Sequence, residues 1–202
     1  MPYNRMAACN YAGAFYDKVC HDGFVATKQT PGYPRTINNV TLTPGLPFSQ
    51  IGAIDRENDC THFLSCCVGQ TRGKLSVGGR DMEFPGGGLH LTTPFANIGV
   101  YGETYTPRLV GRLVILGARI VPPQFMVTSY ATTRTAIAQN LTLGDVLAFA
   151  SSSDLRSDGT GVYEHICLLL SADGKISCHT TSRFGKDYTD IDYPWVTLLK
   201  LP

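Results

Sequence analysis

Residues 164–170 and 175–181 are two apolar runs separated by a short turn signal, and they constrain the fold more than any other part of the chain. The first reads Glu164-His165-Ile166-Cys167-Leu168-Leu169-Leu170 and the second Lys175-Ile176-Ser177-Cys178-His179-Thr180-Thr181. Strand-forming runs joined through Asp173-Gly174 make an antiparallel hairpin. A three-residue loop of Ala172, Asp173 and Gly174, with Gly174 left-handed, pairs Ser171 with Lys175, Leu169 with Ser177 and Cys167 with His179. In that register Ile166, Leu168, Leu170, Ile176 and Cys178 form a core face. His165 and His179 then share the other face as diagonal neighbours. A two-residue loop would send the two histidines to opposite faces.

The rest of the chain supplies helices before strands. Residues 2–21 carry Met6, Cys9, Gly13, Tyr16 and Cys20 on one helical stripe, with Asn4 as cap and Asp22-Gly23 as stop. Residues 27–50 are rich in Pro, Gly, Thr and Asn and read as a long loop with a short strand at 39–42. Residues 58–69 form a short helix, capped by Asn58 or Asp59 and ended by Gly69, with Cys60 in its first turn. The glycine-rich stretch 73–106 has no clear assignment beyond a loop over the site. Pro107 opens an amphipathic helix through Leu109, Val110, Leu113, Val114 and Leu116, and Pro122-Pro123 stops the segment after it. Strands are expected at 146–150 and 195–199 as well as in the hairpin. This order predicts one α+β domain over 1–202, with an antiparallel sheet.

Placement gives Cys60 its chemical interest. A helix N-terminus favours negative charge, so it favours the thiolate, and its N–H groups can receive an oxyanion. The Asp59, Cys60 and Thr61 backbone is the candidate oxyanion site. An imidazole is then needed to take the thiol proton and return it to a leaving amine, and a third polar group to orient that imidazole. His165 fits the base and His179 the orienting residue. Arg183 is a candidate for binding a substrate carboxylate. Of the 7 cysteines, Cys66, Cys67, Cys167 and Cys178 read as packing thiols. No CxxC pair and no paired Cys/His zinc spacing occurs, so no metal or cofactor is expected. His62 reads as a surface or packing residue, Asp59 as a cap, and His21 and His90 carry no assignment.

Several segments resemble the NlpC-type papain-like cysteine peptidases, and most nearly the putative amidase branch. Asp59-Cys60-Thr61-His62-Phe63-Leu64-Ser65 resembles the family's nucleophile signature. Leu143-Gly144-Asp145-Val146-Leu147-Ala148-Phe149 resembles the strand that precedes its catalytic histidine. His165 with Ile166 through Leu170 resembles the histidine strand, and Cys178-His179-Thr180 a later element of the amidase branch. Tyr3-Asn4-Arg5 with Tyr11-Ala12 resembles its N-terminal helix. The resemblance implies a papain-like fold, with N-terminal helices on a small antiparallel sheet. It also implies hydrolysis of amide bonds, usually in cell-wall peptides, with Cys60 as nucleophile, His165 as base and His179 as third residue. His62 and Cys66-Cys67 depart from the family pattern.

The functional expectation is a cysteine amidase or peptidase acting through a thioester on a peptide or peptidoglycan-type amide. Alternatives are a Cys–His acyltransferase or protein deamidase effector toxin, or a non-catalytic binding module of the same fold. With 17 basic against 16 acidic residues and no basic cluster, nucleic acid is not an expected partner. The absence of a long apolar run argues against a membrane span. Residues 1–13 lack the pattern of a secretory signal, which fits a cytoplasmic protein or export by a non-classical route.

Overall fold

The structure is a computed structural model that describes residues 3–27, 36–53, 56, 59–69, 105–115, 117–153 and 162–202. The expectations for Asn58, His90 and the loop over the site lie outside these residues. Four helices are α1 (Arg5–Phe15), α2 (Asp59–Val68), α3 (Thr106–Ile115) and α4 (Tyr130–Asn140). Eight strands are β1 (Thr36–Ile37), β2 (Val40–Thr41), β3 (Arg119–Met126), β4 (Val146–Ala150), β5 (His165–Leu169), β6 (Lys175–Cys178), β7 (Arg183–Asp187) and β8 (Trp195–Lys200). Strands β3-β8-β4-β5-β6-β7 form one antiparallel sheet in that order, and β1 and β2 a separate two-stranded ribbon. The α+β class and the antiparallel sheet agree with the sequence. Among the described residues no helix is long and apolar enough to cross a membrane.

Helix α1 starts as expected, with Asn4 accepting from the Ala7 N–H at 3.0 Å. Its buried stripe differs from the expected one. Ala8, Tyr11, Ala12 and Phe15 face the core, whereas Met6 is exposed. The two alanines let the backbone approach closely and the two aromatic rings stack with centroids 4.6 Å apart. The helix also ends earlier than residue 21, because Lys18 leaves it to bridge Pro47.

Helix α2 is buried along all ten residues and packs on β5. A helix enclosed in this way must satisfy every polar side chain internally, since water cannot reach it. That requirement shapes the candidate site. Strands β4 and β5 are likewise buried at every position, as central strands of a covered sheet are.

The hairpin departs from the expected register. Leu168 pairs with Ser177 and Leu169 with Ile176, and the Leu170 N–H donates to Lys175 at 2.7 Å. The loop is therefore four residues, 171–174, not three. A turn bond from Gly174 N–H to the Ser171 carbonyl and a Ser171 hydroxyl bond to Asp173 keep Ser171 out of the ladder. Gly174 is left-handed as expected, at φ 91°. The shift carries Cys167 opposite Cys178 and moves His179 off the face that carries His165. Strand β6 also ends at Cys178, so His179 begins a turn in which Ser182 N–H donates to its carbonyl at 2.9 Å.

Three elements go beyond the sequence expectation. Pro122 and Pro123 lie within β3 instead of ending structure, because β3 is an edge strand and its pairing to β8 skips the prolines between Val121 and Phe125. Helix α4 is rich in Thr and weakly patterned, and β7 has only a half-buried, polar face.

Candidate active site

Cys60 lies in the first turn of α2 and His165 opens β5. Packing of α2 on β5 puts the thiol and the imidazole close enough for each to shift the other's protonation. Burial pushes the Cys60 thiol up, but the charge and hydrogen bonding of His165 bring it below its ordinary value. The Thr180 hydroxyl and the Ile166 backbone assist. Burial works against a charged His165, yet Cys60, with Cys178, raises it to about 10. Each group therefore favours the charged form of the other. Cys60 is fully buried and His165 is 5% exposed.

Nε2 of His165 is buried with no hydrogen-bond partner, and so is the Thr180 hydroxyl apart from its contribution at Cys60. An unsatisfied buried imidazole nitrogen is uncommon, and reactive sites are one of the places where it is found. Aromatic packing holds the ring instead. Tyr193 lies nearly parallel to it, with centroids 6.2 Å and planes 14° apart, and Phe149 is tilted against it at 6.1 Å. Neither residue stands out in the sequence. The thiols of Cys167 and Cys178 complete the surroundings, their sulfurs within 4.8 Å of a His165 nitrogen and of each other. Cys167 and His165 hold the Cys178 thiol well below its ordinary value, whereas burial pushes Cys167 up.

His179 does not orient His165. Its Nδ1–H donates to Asp59 Oδ2 at 2.8 Å and its Nε2–H to the Phe15 carbonyl at 2.6 Å, so both nitrogens are spent as donors. Two acceptors on one ring require the imidazolium. Burial opposes that charge, but Cys20 and Asp59 raise the His179 pKa above the ordinary value. The ring stacks on Phe63 at 4.0 Å.

Asp59 is neither a cap nor part of an oxyanion site. It is the first helical residue, and its N–H already donates to the Arg56 carbonyl at 2.9 Å. Its carboxylate accepts from Ala26 N–H at 2.8 Å, His62 Nδ1–H at 3.0 Å and His179. Burial would raise its pKa, but His179 and His62 hold it far below the usual carboxylate range. Cys60 and Thr61 remain in the first turn, with the Thr61 hydroxyl 2.6 Å from that of Thr106. His62 is fully buried, not a surface residue, and its second nitrogen donates to Asp22 Oδ2 at 2.8 Å. The helical spacing of Asp59 and His62 is the sequence signal for their contact. Arg183 donates to Thr181 and, at 3.0 Å, to the Asp190 carbonyl, so its guanidinium is engaged within its own hairpin.

Compared with protein families, curated proteins and solved structures, the chain matches none of them. The functional reading therefore rests on this geometry.

Proposed function

We propose that the protein is a cysteine-dependent amide hydrolase of papain-like type, with Cys60 as nucleophile and His165 as general acid and base. The observation that carries the reading is the packing of α2 on β5, which brings Cys60 and His165 together in the core so that each shifts the other's protonation. The Cys60 thiolate attacks the amide carbonyl carbon, and the tetrahedral oxyanion is received by the N–H groups at the start of α2. The C–N bond breaks as the His165 imidazolium gives its proton to the leaving amine, leaving a thioester. Water then attacks the thioester carbonyl while neutral His165 takes its proton. The C–S bond breaks, acid is released, and the thiolate–imidazolium pair is restored. Peptidoglycan stem peptides, or peptides of similar amide chemistry, are the proposed substrates.

The test is hydrolysis of peptidoglycan fragments and peptide amides by the full chain, with iodoacetamide labelling mapped by mass spectrometry. Cys60→Ala and His165→Ala should each remove turnover, and Cys60 should be the first thiol labelled. Unaltered turnover by Cys60→Ala overturns the proposal. A product one dalton heavier at a glutamine of a protein substrate would redirect the same residues to deamidation.

Complete burial of Cys60 favours a second reading, a binding module whose thiol–imidazole pair is structural. That reading requires Cys60 to label no faster than Cys67, a buried thiol near the C-terminal end of α2 that burial raises well above its ordinary value.

A further inference from the structure

The second cluster of reactive side chains lies on the other flank of α2, away from the Cys60–His165 pair. Cys20 and Asp22 come from the segment that follows α1. His62 and Cys66 stand one helical turn apart on α2, and that spacing aims both side chains to the same side. The ligand atoms of Cys20, His62 and Cys66 all lie within 4.8 Å of one another. Cys66 Sγ is 3.5 Å from His62 Nε2 and 3.6 Å from Asp22 Oδ2, and His62 Nε2 is 2.8 Å from Asp22 Oδ2. Cys20 and His62 are fully buried, Cys66 is 5% exposed, and the Asp22 side chain 6%.

The separations among Cys66, His62 and Asp22 approach the edges of a tetrahedron, while the mutually close group is Cys20, His62 and Cys66, which Asp22 joins through His62 and Cys66. With Zn–S about 2.3 Å and Zn–N or Zn–O about 2.0–2.1 Å, sulfur–nitrogen and sulfur–oxygen edges come to about 3.5 Å. A nitrogen–oxygen edge comes to about 3.4 Å, so the His62–Asp22 hydrogen bond would open by about half an ångström as the ion replaces its proton. Two sulfurs, one imidazole and one carboxylate suit Zn2+, a borderline-soft ion, better than the hard cations that prefer all-oxygen sites. The surrounding contacts are also those of a metal site. His62 uses its remaining nitrogen to donate to the Asp59 carboxylate, the arrangement that fixes the tautomer of a metal-bound histidine. Asp22 uses its other oxygen to accept from the Phe24 N–H at 3.1 Å, which leaves Oδ2 directed at His62 and Cys66.

We propose that Cys20, His62 and Cys66 bind a Zn2+ ion, with the Asp22 carboxylate, already against His62 and Cys66, shifting in as the fourth ligand, and that the ion pins the segment after α1 to helix α2. Binding releases the two thiol protons and the proton on His62 Nε2, and the ion takes the two thiolates, the imidazole and the carboxylate as its four ligands. With Asp22 drawn in, all four positions are filled by protein, so the site is structural. Through His62 and Asp59 it steadies the turn that carries Cys60, but it does not depend on Cys60 being a nucleophile. The related cluster of His165, Cys167 and Cys178 belongs to the candidate active site and serves as the internal control.

The experiment is metal analysis of the full-length protein after exposure to zinc and dialysis. It is paired with cobalt substitution and with alkylation mapping of the wild type in mild urea, with and without a chelator. An equimolar amount of zinc is expected, with the visible absorption of tetrahedral cobalt and thiolate charge transfer. Zinc should protect Cys20 and Cys66 from alkylation, and the chelator should remove that protection. Cys66→Ser should lose the metal, whereas Cys178→Ser should keep it. The mapping needs no variant, so it decides the matter even if Cys66→Ser fails to fold. No retained metal, a six-coordinate cobalt spectrum, or protection of Cys167 and Cys178 instead overturns the proposal.

Discussion

His179 donates to the Asp59 carboxylate across 2.8 Å, and this bond joins the turn after β6 to the residue that precedes Cys60 in α2. The same carboxylate takes hydrogen bonds from His62 and from the Ala26 backbone. Three separate parts of the chain therefore converge on one buried anion at the start of the helix. The consequence for the site is positional: Cys60 inherits its place from a residue that performs no chemistry itself.

Asp59→Asn should destabilise the fold by about 3–5 kcal/mol, since an amide cannot balance two buried imidazolium groups and turns a donor toward one of them. Urea denaturation checks it. His179→Gln should also lower stability while leaving the His165 titration where it was. If His179→Gln instead abolished turnover at unchanged stability, His179 would be an orienting catalytic residue after all.

The ion pair makes a pH prediction with a definite sign. His165 is raised to about 10, so it remains a proton donor at neutral pH and loses that role as pH climbs through about 10. Amide turnover should fall on that alkaline limb. Iodoacetamide labelling of Cys60 should not fall there, because alkylation needs only the thiolate. By NMR, the His165 ring should titrate near 10 in the wild type. In Cys60→Ala it should move down from that value, because the group that chiefly raises it is gone and burial is opposed by Cys178 alone.

Gly174 sets the hairpin that carries His165. A Cβ there would meet Cδ1 of the buried Tyr188 ring at 2.6 Å, on a backbone at φ 91°. Gly174→Ala should cost about 2–4 kcal/mol by urea denaturation, combining left-handed strain with overpacking. Gly45→Ala is the control. Gly45 is also left-handed, at φ 78°, but nothing lies within 4 Å of its Cβ position, so only about 1 kcal/mol of backbone strain should appear.

How much of the structure is legible in the sequence depends on which forces fix each element. Strands β4 and β8 and helix α3 stand out because burial writes itself as unbroken or periodic apolar residues. The first turn of α2 is legible from Asp59, Cys60 and the stop at Gly69. The stripe of α1 is easily misread because Ala8 and Ala12 contribute close approach, not hydrophobic bulk. The hairpin is legible, but its register is not. Asp173-Gly174 is compatible with more than one loop length, and the bond from Ser171 to Asp173 that selects four residues is a local side-chain contact. That one-residue difference separates the two histidines. The polar network is illegible for a different reason: Asp22, the Asp59–His62 pair and His179 are far apart in the chain, and only enclosure of α2 on every side forces their charges together. The metal-type cluster escapes a search for paired cysteines because its ligands come as a Cys-x-Asp turn and a His-x-x-x-Cys helix face.

Tyr193 gives the last test, because it bears on how His165 is held without a hydrogen bond to Nε2. In a triad the third residue both orients the imidazole and stabilises its charge. Here Cys60 already favours the imidazolium, so orientation is the part still required, and the Tyr193 ring, nearly parallel with its centroid 6.2 Å away, bounds the space in which the imidazole can turn. Removing that boundary frees ring rotation, and small misplacements of a reacting group cost up to about a hundredfold in rate. Tyr193→Ala should therefore lower turnover by about tenfold to a hundredfold, with the substrate KM little changed. Tyr193→Phe keeps the boundary and should keep the rate. If the two variants lost activity equally, the hydroxyl, and not the ring face, would be the part that matters. If neither lost any, the orientation of His165 would have to come from Phe149 and the strand alone.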